Sequence, residues 1–304
     1  MSDSIPPQKL VNGLVKLLTV KKRATDVYQG RPQKGGAGRV FGGQVIAQAL
    51  QAAQSTITDG KQAHSLHAYF LRGGKEGPPI EYRIERDFDG RSFSNRRVVA
   101  SQENEDGTST PILNLTASFQ APEDGMEHDE APMPDVADPD TLRSDMDMRH
   151  ELADKLGDRM NDVQRAMMLR PRPIEMRTAG RLHWMNREPS EPRAHSWFRT
   201  VAPLPDDPAL HRAMIAYASD YTLLGTSALP HGLSWFRGEL VGASLDHAIW
   251  FHRPARADDW LLYATESPWS GGGRGMNLGR IFNREGQLVA SVAQEGMMRK
   301  RVVK

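Results

Sequence analysis

The chain has 304 residues, 38 % of them apolar and 25 % charged, which is enough for two domains and excludes a wholly disordered polypeptide. Its 39 Lys and Arg against 38 Asp and Glu leave a net charge of +1, so no global field draws in nucleic acid or an anionic membrane, and an acidic ligand must be met by a local basic patch. Cysteine is absent, which removes a disulfide framework, a Cys-ligated metal and a thiol nucleophile.

The N-terminal residues Met1-Ser2-Asp3-Ser4-Ile5-Pro6-Pro7 lack the basic-then-apolar order of a secretory signal. Val11, Leu14, Val15 and Leu18 then recur at the spacing of a short amphipathic helix. A Gly-rich, basic loop follows from Gly30 to Arg39. Phe41-Gly42-Gly43-Gln44 opens a longer helix whose face carries Val45, Ile46, Ala49, Leu50 and Ala53. From Ser65 the rhythm changes to strands, at 65–72, 80–87, 91–102 and 111–120, with turn signals at Gly73-Gly74, Asp89-Gly90 and Asp106-Gly107. One long helix followed by a meander of strands predicts an α+β layer, a curved sheet with its apolar face on the helix.

Composition shifts to Pro, Asp and Glu between Ala121 and Asp147, as in a solvated linker. A helix is expected within 141–169, stopped by Pro171 and Pro173. Asp207-Pro208 then gives an N-cap with proline at the first helical position, ahead of a stripe of Leu210, Met214, Ile215 and Ala218. Strands are predicted at 244–252, 260–267, 273–283 and 288–299, with a turn at Glu285-Gly286. No stretch reaches the ~18 consecutive apolar residues of a membrane span. The final Arg301-Val302-Val303-Lys304 is not a Ser-Lys-Leu address, so the expected location is cytoplasmic.

The second half echoes the first in words as well as rhythm. Val45-Ile46-Ala47-Gln48-Ala49 resembles Met214-Ile215-Ala216-Tyr217-Ala218 at an offset of 169. Ser65-Leu66-His67 resembles Ser244-Leu245-Asp246-His247 at 179, and 115–120 resembles 289–294 at 174. Three anchors in one order suggest a duplicated domain. Gln51, Ser65 and Gln120 then align with Asp220, Ser244 and Gln294, so the first copy lacks a carboxylate at the helix position.

These words resemble the TesB-type acyl-CoA thioesterase II family. The likeness runs through 39–45, His64-Ser65-Leu66-His67-Ala68-Tyr69-Phe70-Leu71-Arg72, Asp89-Gly90-Arg91-Ser92-Phe93-Ser94 and Thr116–Glu123. It continues in Tyr217-Ala218-Ser219-Asp220, Asp246-His247, Trp250–Pro254 and Gln294-Glu295-Gly296-Met297-Met298-Arg299, about the whole chain. The resemblance implies a double hotdog: a first domain over 1–121, a linker over 122–170 and a second domain over 171–304. It implies hydrolysis of acyl-CoA, with a medium- to long-chain acyl group, by a trio that maps onto Asp220, Ser244 and Gln294. It also implies a homodimer or homotetramer.

Thioester hydrolysis needs an aimed water, a proton acceptor and donors for the developing oxyanion. No Gly-x-Ser-x-Gly elbow is present, so direct attack by water fits better than an acyl-enzyme. Asp220 would take the proton while Gln294 and Ser244 hold the water. Gly42 and Gly43, at a helix N-terminus, could offer N–H groups to a thioester or pantetheine oxygen, or serve close packing alone. Arg97, Arg274 and Arg299, with Arg91 and Arg96, are candidates for the CoA phosphates. His67 and His247 are left outside the catalytic set, as strand histidines. Neither a metal nor a cofactor is expected. A non-catalytic acyl-CoA binding protein is the alternative, and less so a 2-enoyl-CoA hydratase, whose Asp-x-Asn-Pro-x-His setting is missing.

Overall fold

The computed structural model describes residues 5–33, 38–180, 182, 188–235 and 237–301. Most of the signal-peptide and address readings, at 1–4 and 302–304, therefore lie outside the described residues, as do 34–37 of the Gly-rich loop.

The first half consists of α1 (Pro7–Leu18), β1 (Lys21–Ala24), β2 (Val27–Gly30), α2 (Gly42–Gln54), β3 (Gln62–Phe70), β4 (Ile80–Asp89), β5 (Phe93–Glu103) and β6 (Ser109–Gln120). A segment without regular structure leads to α3 (Asp145–Leu156) and α4 (Asp162–Met168), so the one expected helix is two, parted at Gly157 with its positive φ of 49°. The second half contains β7 (Ile174–Ala179), β8 (Arg193–Thr200), α5 (Pro208–Ser219), β9 (Leu240–Ser244), β10 (Asp246–Phe251), β11 (Leu261–Gly271), β12 (Arg274–Phe282) and β13 (Leu288–Lys300). A 3-10 helix, Leu223–His231, follows α5.

All strands join one antiparallel sheet. Its order is β1-β2-β4-β5-β6-β3 in the first half, then β10-β13-β12-β11-β8-β7, with β9 beside β13. The second half repeats the first in reverse about the β3–β10 seam, where Leu66 pairs with Ile249. This is the double hotdog. The hairpins β1–β2 and β7–β8 that complete each half were not predicted. Inside the sheet α2 lies against α5, and both are buried nearly all round, as expected of helices enclosed by strands. Small residues make that closeness possible: Ala47, Ala49, Ala52 and Ala53 on α2, and Ala213, Ala216 and Ala218 on α5, are buried. Asp207 caps α5 by accepting from the Ala209 N–H at 2.9 Å, as its sequence predicted.

The register corrects two alignments of the repeat. Buried residues alternate on β6 at Leu113, Leu115, Ala117 and Phe119, and on β13 at Ala290, Val292, Gln294 and Gly296. The equivalence is therefore off the word match by an odd number of residues, because sheet residues alternate faces. Gln120 faces away from the buried side that Gln294 occupies in β13. Ser65 lies within β3 opposite Ser118, whereas Ser244 ends β9 opposite Gly296, so these two are not equivalent either. No helix among the described residues is long and apolar enough to cross a membrane.

Candidate active site

The antiparallel helix pair sets the C-terminus of α5 against the N-terminus of α2. Asp220 is the C-cap of α5, where its own helix dipole disfavours a negative charge. The opposing end of α2 offsets this, for the Gly43 N–H donates to the Asp220 carboxylate. Both glycines are required by space. A Cβ on Gly42 would come within 2.6 Å of Asp220 Oδ2 and 2.9 Å of Phe70, and one on Gly43 within 2.5 Å of the Tyr217 carbonyl. The Gly43 amide thus serves the carboxylate; of the two glycines, expected either to face the substrate or to serve close packing, Gly42 alone lines the cavity.

The three sequence-predicted residues meet. Gln294 Nε2 donates to Asp220 Oδ1 at 2.7 Å, and Ser244 Oγ reaches the same oxygen at 3.5 Å, a long contact. They come from three places in the chain that folding unites: the end of α5, the end of β9 and the middle of β13. The Asp220 side chain is only 5 % exposed. Burial pushes its pKa up to about 6, against the lowering effect of hydrogen bonds from Gln294, Gly43 and Ser244. Such a carboxylate is still ionised at neutral pH, yet is a stronger base than a solvated aspartate.

Behind the trio stands His247, on β10 and buried. Gln294 Nε2 lies 3.1 Å from His247 Nδ1, and His247 Nε2 lies 2.9 Å from Ser219 Oγ. Burial holds the imidazole down to a pKa of about 4, so it is neutral. His247 and Asp220 are 4.0 Å apart, with the Gln294 amide bonded to both. His247 makes no direct hydrogen bond to Asp220 and is not among the residues lining the cavity. His67, by contrast, is exposed on the outer face of β3 against Trp250.

A cavity of about 600 Å³ opens onto Asp220 and Ser244 and takes walls from both halves. The first half supplies Arg39–Gly42, Val45, Phe70–Gly74 and Ile112; the second adds Tyr221, Leu224, Trp235 and Leu245. Its volume lies within the ~300–1,000 Å³ usual for ligand pockets. Its cations are Arg39 and Arg72, both present in the words that carry the resemblance but not singled out as ligands.

The arginines chosen from basic runs stand outside this lining. Arg97 faces outward from β5 and pairs with Glu85 and Asp87 of β4. Arg274 pairs with Glu295 at 2.8 Å and lies over Trp269. Arg299 is exposed near the end of β13. Arg96 is buried as a structural strut, bonded to Thr56, Asp89 and the Phe88 carbonyl. Among the described residues no group of three His, Asp or Glu side chains could hold a metal ion.

Comparison with known proteins gives the family. Residues 31–120 match the family model described as the acyl-CoA thioesterase N-terminal domain, and residues 139–298 the one described as the C-terminal domain. The chain is 37 % identical to acyl-CoA thioesterase 2 of Haemophilus influenzae, over 95 % of this chain and 98 % of that one. The crystal structure of the acyl-CoA thioesterase II TesB2 from Mycobacterium marinum superposes with a TM-score of 0.74 at 37 % identity, covering 94 % of this chain and 98 % of that one. A hot dog fold protein from Alicyclobacillus acidocaldarius shares the fold at a TM-score of 0.74 and 18 % identity, over 95 % and 99 % of the two chains.

Proposed function

The chain belongs to the acyl-CoA thioesterase family, and from that premise we propose that it hydrolyses medium- to long-chain fatty acyl-CoA by direct attack of water activated by Asp220. The observation that carries this reading is a buried carboxylate, raised to about 6, that opens onto a cavity lined largely by apolar side chains.

Gln294 and Ser244 both address Oδ1 of Asp220, while Oδ2 lies beside Gly42, a cavity-lining residue. Oδ2, the oxygen beside that lining residue, takes the proton of the attacking water. The water oxygen bonds to the thioester carbon, and the carbonyl oxygen gains the charge. Gly42, in the first turn of α2 where N–H groups lack intrahelical partners, supports oxyanion stabilisation. Collapse of the tetrahedral species breaks the C–S bond and releases the CoA thiolate. Asp220 returns the proton to the sulfur, leaving free fatty acid, CoA-SH and an ionised base. Both N–H groups of Gln294 face Asp220 and His247, so its contribution is to the carboxylate more than to the water.

Val40, Phe41, Val45, Phe70 and Ile112 favour a fatty tail, and Arg39 and Arg72 favour the CoA phosphates. The outward-facing Tyr69 and Trp250 at the β3–β10 seam are 63 % and 36 % exposed, which supports self-association as a homodimer or homotetramer. The lack of cysteine accords with a reducing, cytoplasmic setting. Residues 1–121 and 171–304 would be the two hotdog units, with 122–170 between them.

Thiol release from saturated acyl-CoAs of graded length, with Asp220→Asn beside the natural protein, tests the mechanism. Loss of a general base typically lowers the rate about 10²–10⁴-fold. Equal rates in the two proteins would refute Asp220 as the base, and a preference confined to short acyl groups would refute the chain-length assignment.

A further inference from the structure

We propose that His247 is a positioning residue that fixes the orientation of the Gln294 amide, and through it the reactive state of Asp220. This rests on the reading of Asp220 as the base.

An amide can turn either its oxygen or its nitrogen toward a neighbour, and a neutral imidazole can carry its proton on either nitrogen; the surrounding bonds decide both. Here the decision begins far from the substrate. Ser219 Oγ donates to the Ala216 carbonyl at 3.0 Å, which leaves its lone pairs toward His247 Nε2 at 2.9 Å. The Ser219 backbone is itself tied, its carbonyl accepting from the Tyr263 hydroxyl at 2.9 Å. His247 therefore carries its proton on Nε2 and presents a bare Nδ1 to Gln294 at 3.1 Å. Only the NH₂ side of the amide can meet a bare nitrogen and an ionised carboxylate together. The opposite orientation would set Gln294 Oε1 in the place of Nε2, 2.7 Å from an Asp220 oxygen. That is tolerable only with Asp220 protonated and inactive, and with the imidazole proton moved to Nδ1.

The charged and titratable groups around Asp220 leave the control with this chain of bonds. His247 faces it from β10, Tyr263 from β11 and Tyr221 from the turn after α5. Both tyrosine hydroxyls are raised by burial and remain neutral. His247, Ser219 and Gln294 are each at most 1 % exposed, so water does not substitute for a lost partner.

The test compares His247→Phe, which keeps a ring but no acceptor, with His247→Asn, whose amide oxygen can replace Nδ1. The readouts are kcat, KM and the acid limb of kcat/KM against pH. We expect His247→Phe to lower kcat by about 10-fold or more with KM little changed, an effect made in the transition state. Its acid limb should move to higher pH, because a free Gln294 no longer stabilises the charged carboxylate. His247→Asn should recover most of both. An acid limb and kcat unmoved in His247→Phe overturn the proposal, and so does a loss that His247→Asn fails to relieve. Where His247→Phe does not fold, Ser219→Ala decides: an unmoved limb there overturns it, and an upward shift supports it. Asp220→Asn separates the two levels. Full turnover in that variant refutes the base assignment beneath the proposal, whereas its loss beside an unaffected His247→Phe refutes His247 alone.

Discussion

The α2/α5 pair has two ends, and only one sets a buried carboxylate against a helix N-terminus. At one end the C-cap of α5, Asp220, meets Gly42 and Gly43 at the start of α2. At the other, Gln51 near the end of α2 reaches the start of α5 and donates to the Ala209 carbonyl at 3.3 Å. The offset of 169 that relates Gln51 to Asp220 also puts His211 and Arg212 where Gly42 and Gly43 stand. The buried face of β6 carries only apolar side chains, Leu113, Leu115, Ala117 and Phe119, where that of β13 carries Gln294. The scaffold is doubled, but the second end has larger side chains in place of both glycines, no carboxylate on the helix and an apolar face on β6. A carboxylate is thus one requirement among four: a helix N-terminus with room for it, an amide to orient it, and an acceptor to orient the amide.

Moving the base across should accordingly fail. In Asp220→Asn with Gln51→Glu, turnover is expected to stay about 10²-fold or more below the natural protein, as in Asp220→Asn alone. Recovery of thiol release in the double variant would show that the quiet end is a latent site and that the carboxylate alone distinguishes the two.

Closing the active end from its own side is the next largest effect. Gly42→Ala places a methyl 2.6 Å from Asp220 Oδ2, so carboxylate or helix must shift. Misplacement of a reacting group by about 1 Å can lower the rate about 10²-fold. We expect a loss of about 10-fold or more in kcat with the fold retained by circular dichroism. Gly13, exposed on α1, has open space where a methyl would stand and provides the matched control, since Gly13→Ala should leave kcat untouched.

Much of this was legible in the chain, and the rest was hidden for identifiable reasons. Turn signals at Asp106-Gly107 and Glu285-Gly286 named their hairpins, and both glycines do adopt positive φ, 79° and 82°. Strand β1, Lys-Lys-Arg-Ala, is exposed at every residue and carries no alternation to read, being an edge strand. The 3-10 helix at Leu223–His231 contains Pro230, which argued against any helix there. At the site, Asp220, Ser244 and Gln294 were found through distinctive words. His247 was set aside because strand histidines are so often structural, and its role depends on a register that no local pattern encodes. Basic runs pointed away from the cavity: Arg97 and Arg274 neutralise acids on adjacent strands, as cross-strand pairs do. Arg39 and Arg72 stand in loops that folding brings to one cavity.

The cations offer a smaller contrast between binding and chemistry. Arg39→Ala and Arg72→Ala should each raise KM several-fold with kcat little changed, and added salt should narrow the difference from the natural protein. A fall in kcat at constant KM would instead assign these arginines to the transition state. Arg97→Ala and Arg274→Ala, removed from the cavity, should leave both constants within error.

The difference between the two ends should be measurable without substrate, as stability. Asp220 has a folded pKa raised from 3.8 to about 6, so the native state holds a proton more tightly than the unfolded chain. The sign follows: between about pH 4 and pH 6 stability falls as pH rises, and above that window the whole penalty is present. A rise of this size corresponds to at most about 3 kcal/mol. Asn at this position is neutral, and its oxygen can still accept from Gln294. Asp220→Asn should therefore melt a few degrees higher than the natural protein at pH 8, and the gain should vanish below about pH 4, where the aspartate is itself protonated. Gln51→Glu should do the reverse at the quiet end, lowering the melting temperature at pH 8 because the new charge would stand beside the Ala209 carbonyl in place of an amide that donates to it. If Asp220→Asn gains nothing at pH 8, the carboxylate is better solvated than its burial implies, and the base strength assigned to it falls accordingly.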